Sequence, residues 1–198
     1  MWPFKKKPVA APAPLTLRQA LDELKGIGVA LAPSASIDDL LPSMNGRLDD
    51  PVDRVHLLCA LGGEAECTDA GLLSHDVWHL DAECIEDHGD YVRLAERFAV
   101  LSAGNLPVQE VKDHVDIEAA QAWIEFTLDG GRVHWDLVVD NEWMDPALYS
   151  NFQKLVGSRT RTGRFMICAL GQDSILLFGD EKKRRAISEF SSLDFRWE

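Results

Sequence analysis

Ala120-Gln121-Ala122-Trp123-Ile124-Glu125-Phe126-Thr127-Leu128-Asp129-Gly130-Gly131-Arg132-Val133-His134-Trp135-Asp136-Leu137-Val138-Val139 is the stretch that decides the fold. Ala120, Ala122, Ile124, Phe126 and Leu128 fall on one side of an extended chain. Gln121, Trp123, Glu125 and Thr127 fall on the other, because side chains alternate in a strand. Asp129-Gly130-Gly131 supplies a turn, and Val133, Trp135, Leu137 and Val139 continue the alternation on the way back. The pattern predicts an antiparallel hairpin with one face in the core and one in water.

Downstream of the hairpin, Asp145 followed by Pro146 reads as a helix start, and Leu148, Phe152, Leu155 and Val156 form its apolar stripe. A basic loop, Arg159 to Arg164, then leads into Phe165 to Leu170. That run is apolar on both sides, as expected of a strand covered on both faces. Gly171-Gln172-Asp173 turns it into a partner strand, Ile175 to Phe178. A charged helix over Asp180 to Phe190 follows. Leu193, Phe195 and Trp197 alternate with Asp194, Arg196 and Glu198, which predicts a last strand.

Upstream, Tyr91, Leu94, Ala95, Phe98, Leu101 and Ser102 mark one face of a helix that Gly104 ends. Asp87 and Asp90 sit at its start, where the helix dipole favours anions. Asp76 to Leu80, with Trp78, reads as a short strand. Val55 to Leu61 fits either strand or helix before the break at Gly62-Gly63. Ser36 with Asp39 starts a short helix that Pro42 ends or kinks. Thr16 and Gln19 match a capping box ahead of Leu17, Ala20, Leu21 and Leu24, in a helix closed at Gly26. Together these predict one α+β domain over 15–198, with a mainly antiparallel sheet of hairpins and three to five helices. Residues 1–14, basic and then rich in Pro and Ala, read as a flexible tail.

Charge narrows the function. Of the chain's net charge of −13, Val77 to Ser150 carries twelve units, from sixteen Asp and Glu against four Lys and Arg. One sign of charge kept in one stretch favours a basic partner and repels the phosphate backbone of nucleic acids. With 46 % hydrophobic and 27 % charged residues the chain has the makings of a globular core. No apolar run approaches the roughly 18–20 residues of a membrane span. Lys5, Lys6 and Lys7 beside Trp2 and Phe4 could touch an anionic membrane only weakly, and no apolar segment of a secretory signal follows them. A cytoplasmic protein is expected. Cys59, Cys67, Cys84 and Cys168 form no C-x-x-C pair, so free thiols are expected rather than a zinc ribbon or redox pair.

Two constellations could carry function. Asp136, Asp140, Glu142, Trp143 and Asp145 run from the hairpin into the next helix, so their carboxylates would surround a loop with Trp143 as an aromatic anchor. The plain alternative is that Trp143 packs beneath that helix and the acids are merely solvated. The second constellation gathers Asp81, Glu83, Cys84, Glu86, Asp87 and His88, just after His75 and His79. Its donors could hold a divalent ion, and Cys84 four residues before His88 could pair thiol with imidazole. The run lacks the fixed offsets of a calcium loop, and neighbouring carboxylates would raise the thiol pKa. Neither a metal nor a cofactor is therefore expected. Phosphate loops, dinucleotide fingerprints, nucleophile elbows and H-E-x-x-H are absent from the sequence.

The words Trp78 to Val92, Asp113 to Ala119, Asn141 to Asp145 and Gly171 to Asp173 resemble an uncharacterised family of bacterial cytoplasmic proteins, over residues 50 to 198 or so. That resemblance implies no activity and no catalytic residue. In size and acidity the chain is also similar in general character to immunity proteins of bacterial polymorphic toxin systems. The expectation is an acidic, non-enzymatic binding protein, an immunity-type inhibitor of a basic toxin. A small metal-assisted or thiol-dependent enzyme centred on 81–88 is the alternative.

Overall fold

A computed structural model describes residues 14–44, 47–63 and 71–197. Apart from Pro14, the tail expectation lies outside the described residues, as does Cys67. In chain order the elements are α1 (Leu17–Ile27), α2 (Ile37–Met44), α3 (Arg54–Gly62), β1 (Val77–Asp81), α4 (Asp90–Leu101), β2 (Gln109–Asp116), β3 (Gln121–Leu128), β4 (Gly131–Leu137), α5 (Ala147–Arg159), β5 (Arg164–Ala169), β6 (Asp173–Gly179) and α6 (Glu181–Ser191). The fold is α+β. It has two separate antiparallel sheets, ordered β1-β6-β5 and β2-β3-β4, and six helices among the described residues, one above the expected range.

The decisive hairpin is β3–β4. Asp129 and Gly130 take φ of 52° and 78° between the paired residues Leu128 and Gly131. This two-residue turn twists with the strands it joins, and glycine accepts the left-handed backbone without strain. Ala122, Ile124, Phe126 and Leu128 are buried, whereas Trp123, Glu125 and Thr127 keep part of their surface in water.

The β1-β6-β5 sheet is covered on both sides. Val77, Met166, Cys168, Ile175 and Leu177 face α1, α2, α3 and α6 through Leu24, Leu40, Leu58 and Phe190. Trp78, Leu80, Phe165 and Leu176 face α4 and α5. Phe98 of α4 meets Trp78 and Phe165 at ring-centroid distances of 5.1 and 5.2 Å. Phe152 of α5 stacks on Phe98 at 4.6 Å and on Phe126 of the second sheet at 5.9 Å. The layers run helices, sheet, helices, sheet, and the last sheet keeps its outer face in solvent.

Several expectations need correction. α1 runs past Gly26 and closes at Gly28, whose φ of 88° and amide bonds to the Leu24 and Lys25 carbonyls make the left-handed cap. For Val55 to Leu61, open between strand and helix in the sequence, the helix holds, because Asp53 caps α3 by accepting from the Val55 and His56 amides. Pro42 lies inside α2, which runs on to Met44. β2 was not legible: Val115 is its one buried residue, and a bulge around Glu110, with φ of 51°, breaks its register. The expected last strand shrinks to a bridge, with Ile167 and Arg196 exchanging amide and carbonyl bonds of 3.0 and 2.9 Å.

Candidate partner-binding site

The two acidic constellations, some sixty residues apart in sequence, lie side by side. The Ile85 amide donates to the Glu142 carbonyl and the Met144 amide to the Ala82 carbonyl, each at 2.9 Å, and Glu83 bridges Trp143. Ile85 and Met144 are buried beneath this seam. Because alternate residues of paired extended segments point to opposite sides, anchoring these two leaves their neighbours outward. Asp81, Glu83, Glu86, Asp87, Asp140 and Glu142 are all exposed. Trp143 is 41 % exposed and Val138 58 %. The indole is thus not packed beneath α5. It lies on a surface crowded with carboxylates, an arrangement in which an aromatic anchor contributes buried area and the acids contribute long-range attraction.

The expected residues divide by role. Asp145 spends both carboxylate oxygens on the main chain, accepting from the Val138 and Ala147 amides at 2.8 Å each. Its own amide donates to the Tyr91 hydroxyl, which donates to the Val138 carbonyl. Asp145 therefore clamps the end of β4 to the starts of α4 and α5 instead of rimming the loop. Burial beside this clamp pushes the Tyr91 hydroxyl up to about 12. Asp81 similarly holds the turn after β5, accepting from the Gln172 side chain and the Glu83 amide at 2.9 Å. Asp136 projects from β4 on the outer face of the second sheet, 3.3 Å from His134. Asp140 and Glu142 stay with Trp143 on the loop.

No family model, curated protein or solved structure matches this chain.

The thiol arrangement does not form. Burial, with smaller contributions from Asp81 and Asp90, pushes Cys84 up to about 11 against the opposing pull of Arg93. His88 turns instead to Asp87, 3.1 Å away, and edge-on to His114. Among the described residues no group of three or more His, Cys, Asp and Glu is placed to hold a metal ion. His79 sits in β1, 3.6 Å from Asp173, while His75 precedes the strand. Asp90 accepts from the Glu86 and Asp87 amides, tying down the loop before α4. The carboxylate that caps this helix comes from β2: Asp113 accepts from the Gly89 and Val92 amides.

Sequence reasoning missed Val138 and Asp113. Val138 lay in an apolar pair at the end of a strand whose alternation assigned only Val139 to the core, and that was the available signal for its exposure. Asp113 carried none, since capping across 21 to 24 residues depends on how β2 packs against α4.

Proposed function

We propose that this chain is a non-enzymatic cytoplasmic binding protein of the immunity-inhibitor kind, which captures a basic protein on the acidic surface around Trp143. One observation carries the reading: an exposed indole at the centre of two acidic segments that the backbone holds side by side. Asp140 and Glu142 would attract the partner from a distance, and Trp143 with Val138 would be covered on contact. Among the described residues no helix is long and apolar enough to cross a membrane, in keeping with a protein that meets its partner in solution.

Surface-binding kinetics against a basic protein encoded beside this chain test the reading. Association should slow as salt rises, since screening acts beyond about 8–10 Å. Asp140→Lys with Glu142→Lys should slow association, whereas Trp143→Ala should mainly speed dissociation. Binding unaffected by both sets of substitutions would move the site elsewhere on the molecule.

A further inference from the structure

The outer face of the β2-β3-β4 sheet carries a row of rings that the reading above does not use. His88 meets His114 edge-on with ring centroids 4.7 Å apart. His114 stacks on Trp123 at 6.0 Å and 21°. Trp123 meets His134 at 5.6 Å and 32°. The row exists because β3 lies between its neighbours in a register that places His114 and Asp136 on either side of Trp123, and Lys112 and His134 on either side of Glu125. Trp123 is offset-stacked on His114 and tilted against His134, and at centroid separations of 6.0 and 5.6 Å both arrangements leave part of each π face uncovered. His88, His114 and His134 are exposed and Trp123 is half-buried.

Both ends of the row are acidic. Asp87, 86 % exposed at its side chain, lies 3.1 Å from His88. Asp136, 94 % exposed at its side chain, lies 3.3 Å from His134. Glu125, in contrast, is occupied by Arg132 and His134. The result is a strip of π surface with an exposed carboxylate at each end, Asp87 accepting from the His88 amide through Oδ1 at 2.7 Å and Asp136 facing His134 through Oδ1 at 3.3 Å.

We propose that this strip is a guanidinium-reading surface, which takes arginine side chains of the basic partner; the inference rests on the acidic-capture reading and names the side chain that the partner must present. A guanidinium can lie flat on a partly uncovered ring while its edge donates two parallel hydrogen bonds to a carboxylate. A lysine ammonium is a strongly hydrated point charge and cannot do both. The strip therefore separates arginine from lysine, whereas the Trp143 loop responds to positive charge of either kind. Asp87, at the end of the ring row, belongs to the same segment as Ile85, whose amide is bonded to the Glu142 carbonyl of the Trp143 loop.

Nona-arginine and nona-lysine peptides, equal in charge, distinguish the two ideas when titrated into the full chain by calorimetry. Nona-arginine should bind about tenfold more tightly. Trp123→Leu should remove that preference and leave nona-lysine binding unchanged. Because Trp123 is half-buried, the exposed pair His114→Ala with His134→Ala provides a second variant, and it should reduce the preference at unchanged thermal stability. Asp140→Lys with Glu142→Lys should weaken both peptides alike. Equal affinity for the two peptides, or a preference untouched by the double histidine variant, would overturn the guanidinium strip while the acidic-capture reading stands. Failure of both peptides to bind would remove the acidic-capture reading and the strip with it.

Discussion

The two sheets are each three antiparallel strands, yet they are built for different surroundings. β5 and β6 run Phe165-Met166-Ile167-Cys168 and Ile175-Leu176-Leu177-Phe178, apolar at every step, and helices cover both of their faces. β3 alternates, and only Ala122, Ile124, Phe126 and Leu128 meet the core. A strand apolar throughout needs a layer on each side to keep both faces dry, whereas an alternating strand needs one. The chain therefore places its unused surface on the second sheet and on the loop that leaves it. The residues proposed to meet a partner lie there, and the first sheet serves as the scaffold.

Alanine substitutions should separate the two sheets. Alanine in place of Leu176 or Leu177, neighbours on opposite faces of β6, should each cost about 2–5 kcal/mol in chemical denaturation. In β3 the same walk should alternate, with Phe126→Ala costing about 3–5 kcal/mol and Thr127→Ala about 1 kcal/mol or less. A cheap Leu176→Ala or Leu177→Ala would mean that one face of the first sheet is not packed.

The scaffold should also resist added volume where it is tightest. A Cβ on Gly62 of α3 would lie 2.4 Å from the His79 amide nitrogen and 2.8 Å from the Trp78 carbonyl carbon, both backbone atoms of β1. Gly62→Ala should therefore lower stability by about 1–3 kcal/mol. At Gly130 in the hairpin turn nothing lies within 4 Å, and only its φ of 78° opposes a side chain. A Gly62→Ala protein as stable as the parent would show that α3 can slide on β1.

On the open side, Asp145→Ala should cost about 1–3 kcal/mol through loss of the acceptor for the Ala147 and Val138 amides, while Asp140→Ala should leave the melting temperature almost unchanged. Equal effects would erase the division between a clamping and a displayed carboxylate.

The smallest effect concerns pH. Side-chain hydrogen bonds from Arg184 and Arg185, with a smaller one from the Trp197 indole, hold the exposed Glu181 carboxyl well below the usual range. The folded state then binds its proton less readily than the unfolded chain does. The stabilisation is full above the ordinary carboxylate range and fades as pH falls below about 4. Glu181→Gln should flatten the acid limb of the stability curve slightly, and high salt should shrink the difference. An acid limb identical in both proteins would show that this ion-pair cluster contributes nothing, as many exposed pairs do.

Local chemistry was legible along the chain. The capping box at Thr16 and Gln19, the alternation of β3, the Asp129-Gly130 turn and the unbroken apolar runs of β5 and β6 each depend on neighbours a few residues away. Sequence periodicity records such neighbours directly. It also placed Trp123 and Glu125 opposite the core residues, and grouped Asp140, Glu142 and Trp143 on one loop. The ambiguity of Val55 to Leu61 was real, since an apolar run of seven suits either element until its cap at Asp53 and its packing on β1 decide.

Tertiary structure decided what depends on distance in sequence. The joining of 81–86 to 140–144, the cap that Asp113 gives α4, the bulged and mostly polar β2, and the split into two sheets all follow from long-range pairing. Such pairing leaves no period in the chain. The ring row is the clearest case, since His88, His114, Trp123 and His134 come from four separate segments and meet only through the register of the strands. In β3 and β4 the sequence determined which side chains face water, because that follows from a repeat of two. Only the fold decided which of them face water together, because that depends on which segments the core brings alongside one another.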